Sequence, residues 1–348
     1  MDTNLDYERF WTPHLEDLAE RIRHAARSAM ASAHASGQLE HVDRPIGQGA
    51  GDVTFGLDEP TEQVLSAWLE ERAREAPISL MTEDAGWRHR GPAPPGANTT
   101  RELPGFDHGG PRIAVDPIDG TRNLMADLRS AWTVISFCAP GPTQPEYADV
   151  SLGLVGEIPD SRAALYRTVK AMRGAGCTLR TDPLQEEVGS RTATSPLVSD
   201  ADDRADNGYF PFFSYMHDQR PAMAAVQADF FARLARDEGA NVRSCYDDQY
   251  ISNAGQLVLL ALGTYRMIVD ARAWIARRDG MTTIASKPYD VAGALLCAEE
   301  AGCVLRSLDG EALAFPIDTE TAVGFVGFAN AGTYSRLWRH LDGALGGG

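Results

Sequence analysis

Apolar residues recur at helical spacing through residues 12–36, where Leu15, Leu18, Ile22, Ala25 and Ala29 share a face and predict an amphipathic helix. A second helix is predicted over 60–75. Pro60 opens it, Val64, Leu65, Trp68 and Leu69 form its apolar side, and Glu70, Glu71 and Arg72 lie opposite. Ile78–Met81 is a short apolar run that reads as a strand and stops at Thr82-Glu83-Asp84. Residues 86–111, rich in Pro, Gly and His, read as a surface loop. Arg112–Val115 reads as a buried strand that runs into the stretch AVDPIDGTRNLM, residues 114–125. Thr133–Ala139 and Val150–Val155 read as further strands, and 156–220 show no clear period. Pro221–Arg236 is helical by pattern. Gly255–Leu262 is apolar and passes into Tyr265–Asp270, a helix running into a strand. Tyr289–Gly302 alternates apolar and small residues at helical spacing and opens with Asp290. Short strands around Val304, Leu313 and Val323–Phe328 and a helix over Thr333–Leu345 complete the pattern, without an internal repeat. The mixture predicts an α/β or α+β fold built in layers.

Composition narrows the function. A chain of 348 residues suits two packed halves, 1–170 and 171–348, and 43% hydrophobic against 23% charged residues is enough for a sizeable core. The formal net charge of −17 argues against nucleic acid or an anionic membrane as partner, since both need a basic face. The same charge means that an anionic substrate needs a bound cation. The five cysteines are scattered without CxxC spacing, which suits reduced, buried thiols in a cytoplasmic protein. The opening Met1-Asp2-Thr3-Asn4-Leu5-Asp6 has no signal-peptide character, and no apolar run approaches the roughly 18 residues of a membrane span.

Three apolar runs end in carboxylates: at Glu83-Asp84, at Asp116 and Asp119, and at Asp290. Any one alone reads as a turn or a helix cap, with Asp119 capping a helix from Thr121 and Asp290 one from Val291. The hexapeptide Asp116-Pro-Ile-Asp-Gly-Thr121 asks for more. Two carboxylates three positions apart repel if they converge unpaired, and a hard divalent cation such as Mg²⁺ removes that cost. Pro117 stiffens the turn without supplying an N–H, which makes the Ile118 carbonyl a candidate further ligand. Gly120 lets a phosphate approach the backbone, and the Gly120 and Thr121 N–H groups would open a helix aimed at it. His89, His108 and His217 lack the paired spacing of a zinc site and read as surface residues. The aromatic run Tyr209–Phe213 reads as core, subunit contact or pocket wall.

DPIDGT resembles the metal-binding signature of the inositol monophosphatase superfamily, which includes archaeal-type fructose-1,6-bisphosphatases and 3′-phosphonucleotide phosphatases. Other landmarks follow in order. Thr82-Glu83-Asp84 is similar to the family's Gly-Glu-Glu, and Tyr289-Asp290-Val291-Ala292-Gly293 to its Trp-Asp-x-Ala-Ala-Gly. Val53–Asp58 resembles an upstream Thr-x-x-Asp, and Arg173–Gly176 a linking Gly-x-Gly-Ala turn. The resemblance implies a layered αβαβα sandwich and Mg²⁺-dependent hydrolysis of a phosphate monoester of a small sugar, cyclitol or nucleotide. By position, Glu83, Asp116 and the Ile118 carbonyl would hold one ion, and Asp116, Asp119 and Asp290 a second. Glu83 could help hold a third through water. Thr121, paired with Asp58, would orient or deprotonate the attacking water. Asp119, Gly120 and Thr121 would meet the substrate, with Arg243 and Lys287 as candidates for a second phosphate or a sugar hydroxyl. The first half would then carry most metal motifs, and the second the last aspartate and the substrate pocket. The resemblance also implies a homodimer acting on a small phosphorylated metabolite; lithium sensitivity varies between members. The alternative is a non-catalytic member that binds a phosphometabolite without turning it over. Departures at Thr82, Asp84 and Tyr289 leave every implied ligand in place.

Overall fold

A computed structural model describes residues 3–36, 44–48, 53–94, 99–185 and 191–346. Its centre is a nine-stranded sheet buried on both faces through its middle. In spatial order the strands are β11 (Ala193–Leu197), β10 (Gly176–Pro183), β9 (Leu165–Met172), β8 (Val150–Ile158), β7 (Ala131–Cys138), β6 (Arg112–Asp119), β3 (Ile78–Thr82), β4 (Gly86–Pro92) and β5 (Thr100–Glu102). All neighbours are antiparallel except β3 and β6. Covering both faces explains why β6, β7 and β8 read as nearly continuous apolar runs.

The alternate residues of these strands feed two cores. Ile113, Val115, Ile135, Phe137, Leu152 and Leu154 pack under α1 (Thr3–Ser36) and α2 (Asp58–Ala73). Ala114, Trp132, Val134 and Val155 pack against α5 (Asn253–Ala261) and α7 (Pro288–Glu300) on the other side. Beyond those helices lies a three-stranded antiparallel sheet, β12 (Met267–Asp270), β14 (Phe325–Phe328) and β13 (Val304–Arg306). Its far face carries a third core with α4 (Arg220–Glu238) and α8 (Ala331–Leu345). The layers therefore run α, β, α, β, α. The short α6 (Arg272–Asp279) follows β12, and β1 (Pro45–Gln48) and β2 (Val53–Phe55) form a separate two-stranded ladder. Among the described residues no helix is long and apolar enough to cross a membrane. The division at 170/171 falls inside β9.

Several expectations need correction. The first helix starts at Thr3 rather than near 12, because Tyr7 and Trp11 pack their rings against Phe137. Residues 86–111 are not simply a loop: β4 and β5 extend the sheet there, with 95–98 outside the described residues. β4 reads Gly-Trp-Arg-His-Arg-Gly-Pro, a partly exposed outer strand whose arginines hide any apolar period. The unpatterned 156–220 contains β9, β10 and β11, whose polar positions reflect the sheet's outer end; 186–190 lie outside the described residues. No strand forms around Leu313, which packs singly against the middle core.

The histidines at 89 and 108 are not simple surface residues. The buried Ser79 hydroxyl lies 2.7 Å from His89 Nδ1 and 2.7 Å from His108 Nε2. The Gly110 N–H donates to His108 Nδ1, which assigns the His108 proton to Nε2 and makes His108 the donor to Ser79 and Ser79 the donor to His89. Burial lowers the pKa of both rings. His217 is exposed, as expected.

Candidate active site

Glu83 and Asp116 are brought together by the one parallel pairing. Met81 of β3 stands opposite Ala114 of β6, and two residues further along the chain come Glu83, just past the end of β3, and Asp116, within β6. Both strands therefore deliver a carboxylate toward the C-terminal edge of the sheet, where open sheets commonly bind ligands. Asp119 joins them through a bulge. Asp116 pairs with Val134 and Asp119 with Trp132, so three steps on β6 match two on β7. In a regular strand residues i and i+3 point to opposite faces, and the extra residue removes that alternation. Pro117 suits the bulge because it has no N–H to place in the ladder, and its carbonyl accepts the Thr133 hydroxyl at 2.9 Å.

Gly120 then turns the chain with φ +92°, a left-handed conformation that favours glycine. A Cβ there would stand 3.0 Å from the Ser252 Cβ and 3.1 Å from the Ile251 carbonyl. A one-turn helix, α3 (Thr121–Met125), follows. The Thr121 hydroxyl donates to the Ile118 carbonyl at 2.8 Å and lies 3.5 Å from Asp58 Oδ1, a long contact. Asp58, the first residue of α2, accepts the Phe55 N–H at 2.7 Å. The backbone of Thr54 is in β2; its side chain lies outside what is described.

Asp290 arrives from the far side of the sheet on the first turn of α7, where both its oxygens accept the Lys287 N–H at 2.9 and 3.0 Å. Its capping role is therefore real, but it also faces the cleft. One turn on, Gly293 lets the helix settle on β7: a Cβ there would sit 2.3 Å from the Ile135 carbonyl. Tyr289, in place of a tryptophan, is buried in the cleft lining, and burial together with Asp116, Asp290 and Glu83 pushes its hydroxyl well above the usual tyrosine range. Asp119 does not cap α3. Its Oδ2 instead accepts the Ser252 hydroxyl and the Ala254 N–H, both at 2.7 Å, and so holds the N-terminus of α5.

Glu83, Asp116, Ile118, Asp119, Gly120, Thr121, Asp58, Asp290 and Lys287 all line one cleft. The structure does not bring Arg243 there; it is exposed on a single helical turn, 242–244. The Lys287 ammonium donates to the Glu320 carbonyl at 2.6 Å. Residues without a prior signal complete the walls. Glu62 lies one turn beyond Asp58 on α2, a spacing that could have flagged it. Phe213, from the aromatic run, forms one wall, while Phe210 and Phe212 belong to the third core. Arg122 stacks between Phe55 and Tyr215, 5.1 and 5.5 Å from their ring centroids. Asn253, Arg272 and Ser286 lie at the base, joined to Asp270. Asp270 ends a fourth apolar run, Tyr265–Asp270, and was legible on the same criterion as the other three.

Carboxylates in the lining outnumber cationic side chains seven to three. Loss of water raises Asp116 well above the usual carboxylate range, and Asp119, Asp290 and Glu83 add to the rise. Asp290 is raised by the same loss of water and by Asp119. Burial lifts Asp119 to about 6 against its hydrogen-bond donors and Arg272, and lifts Glu62 to about 7 with help from Asp84. Among the described residues no three His, Cys, Asp or Glu side chains form a ready-made metal cage. The donor chemistry nevertheless fits a hard divalent cation. The oxygen donors converge on one cleft, and their mutual repulsion is the cost that such a cation removes.

The family model described as "Inositol monophosphatase family" matches residues 13–344. Similar solved structures include an inositol monophosphatase–fructose 1,6-bisphosphatase, at 13% identity and TM-score 0.59, covering 95% of this chain and 99% of that one. Fructose-1,6-bisphosphatase of Leishmania major matches at 13% identity and TM-score 0.63 over 93% of each chain. A staphylococcal IMPase-II bound to inositol monophosphate matches at 16% identity and TM-score 0.54, over 96% of this chain and 97% of that one. At such identities the structural likeness is one of fold. Comparison with curated proteins finds no match.

Proposed function

The chain belongs to the inositol monophosphatase family and is a phosphoric monoester hydrolase, and from that premise we propose that it cleaves the phosphate monoester of a small sugar, cyclitol or nucleotide with Mg²⁺ as cofactor. The observation that carries this reading is the convergence of Glu83, Asp116, Asp119 and Asp290 on one cleft beside the Gly120–Thr121 turn.

In this reading Glu83, Asp116 and the Ile118 carbonyl hold one ion, Asp116, Asp119 and Asp290 a second, and Glu83 contributes to a third. When bound, Mg²⁺ supplies charge neutralisation at the phosphoryl oxygens and a water of lowered pKa. The chain's own groups do the positioning. The Gly120 and Thr121 N–H groups meet the phosphate, and the Thr121 hydroxyl orients the attacking water, with Asp58 as its partner. The Thr121 proton goes to the Ile118 carbonyl at 2.8 Å, which leaves the hydroxyl oxygen free to accept from the water, with Asp58 3.5 Å away. No covalent nucleophile is required. Lys287, at the cleft's edge, is the remaining candidate for a substrate hydroxyl or second phosphate; Arg243 is not, because it lies outside the cleft. We propose, on the family likeness alone, that the protein works in the cytoplasm as a homodimer.

Phosphate release from a panel of sugar, cyclitol and nucleotide monoesters, with Mg²⁺ and with EDTA, tests the proposal. Mg²⁺-dependent release from at least one ester is expected. Silence across the panel would favour a member that binds phosphometabolites without turnover.

A further inference from the structure

Arg272 is buried to 5% exposure and Asp270 to 1%, directly behind the cleft. The Arg272 guanidinium reaches three separate segments. Nε and Nη2 donate to the two Asp270 oxygens at 2.9 and 2.6 Å, at the end of β12. Nη2 also reaches Asn253 Oδ1 at 3.0 Å, on the first residue of α5. Nη1 and Nη2 reach the Ile284 carbonyl at 2.9 Å and the Ser286 hydroxyl at 2.8 Å, on the segment that enters α7. Its face lies 4.0 Å from the centroid of Phe213. Asn253 Nδ2 closes the network on Asp270 at 3.0 Å.

Those segments are the ones that position the far carboxylates. Asn253 stands between Ser252 and Ala254, the two residues that grip Asp119. Ser286 precedes Lys287, whose N–H fixes Asp290. We infer that Arg272, paired with Asp270, is the positioning residue that sets Asp119 and Asp290 at one separation and so tunes the affinity of the cleft for divalent cations.

Two further points support this. A buried ion pair is a poor stabilising device, since apolar residues of similar size often hold a fold as well or better. A five-donor planar fork is what one side chain needs to tie three segments at fixed angles; lysine, a point charge, cannot.

The inference rests on the proposed metal site but not on turnover, so it is tested by binding. Mn²⁺ affinity is measured by electron paramagnetic resonance on the full chain, as wild type, as R272K and as the D270L/R272M double variant. The partners that orient ligands are commonly worth 10–100-fold in metal affinity. The double variant leaves Asn253, Ser286 and the Ile284 carbonyl without these partners and should melt somewhat lower without metal, but below its melting temperature it should bind Mn²⁺ about 10–100-fold more weakly. R272K, with the charge but not the fork, should bind roughly 3–10-fold more weakly and serves as the test if the double variant does not fold. Affinity within twofold of wild type in either folded variant overturns the inference. A wild type that binds Mn²⁺ but releases no phosphate would overturn the proposed activity and leave this role standing. A wild type that binds no Mn²⁺ would overturn both.

Discussion

Replacing Asp119 by asparagine should move stability and activity in opposite directions. The hydrogen bonds survive, because an asparagine carbonyl can accept the Ser252 hydroxyl and the Ala254 N–H as Oδ2 does, at 2.7 Å each. What is lost is the charge. Burial lifts Asp119 from 3.8 to about 6, so in metal-free protein the folded state binds its proton more tightly than the unfolded chain. Ionisation of Asp119 therefore costs stability above about pH 6, and the cost disappears below the unfolded value. A rise of about two pKa units corresponds to about 3 kcal/mol. In EDTA at pH 8, D119N should be about 1–3 kcal/mol more stable than wild type, and the gain should roughly halve by pH 5. Mg²⁺ should reverse the order, because a ligand that binds only the folded state stabilises it and the variant has lost part of the site. Turnover should fall by about a thousandfold or more. Chemical denaturation at both pH values, with and without Mg²⁺, and phosphate release supply the measurements. A variant less stable than wild type at pH 8 in EDTA would refute the electrostatic reasoning.

Four other outcomes follow from the geometry. G120A combines a left-handed residue with contacts at 3.0 and 3.1 Å to Ser252 and Ile251; it should lose about 2–4 kcal/mol by thermal melting and most of its activity. S79A leaves His89 and His108 without their shared hydroxyl and should cost about 1–3 kcal/mol in denaturant titrations, with little change in turnover because Ser79 sits away from the catalytic end of β3. Since burial lowers both histidine pKa values, the unfolded chain takes up protons at these rings first, so acidification below about 6.5 should cost wild type more stability than an H89N/H108N variant, while the raised cleft carboxylates act in the opposite direction equally in both; identical pH profiles for the two from about pH 7.5 to 5.5 would contradict this. R243A should change kcat/KM less than about twofold on any substrate, because Arg243 lies outside the cleft; a larger loss would place it in the site.

The helical periods and the apolar centre of the sheet were legible because both faces of β6, β7 and β8 are buried. The outer strands were not, since β4, β9 and β11 carry arginines and hydroxyls on exposed sides. In the site, the strand-end carboxylates and the DPIDGT turn announced themselves locally. Asp119's grip on α5 did not, because its partners lie more than 130 residues away. The Asp270–Arg272 pair had a local trace, an aspartate ending an apolar run, yet its importance lies in contacts to Asn253 and Ser286 that no spacing reveals. Arg243 shows the opposite case: a candidate substrate contact from the sequence without a place in the cleft.

The central claim is that Glu83, Asp116, Asp119 and Asp290 together hold divalent cations. A crystal soaked in Mn²⁺ and phosphate, measured at the manganese absorption edge, tests it directly. The account predicts at least two anomalous peaks, each within ordinary coordination distance, roughly 2.0–2.3 Å, of oxygens from this set, with phosphate between them and the Gly120–Thr121 turn. Mn²⁺ bound only at surface carboxylates outside the cleft, such as Asp309, with none touching Asp116 or Asp119, would contradict it.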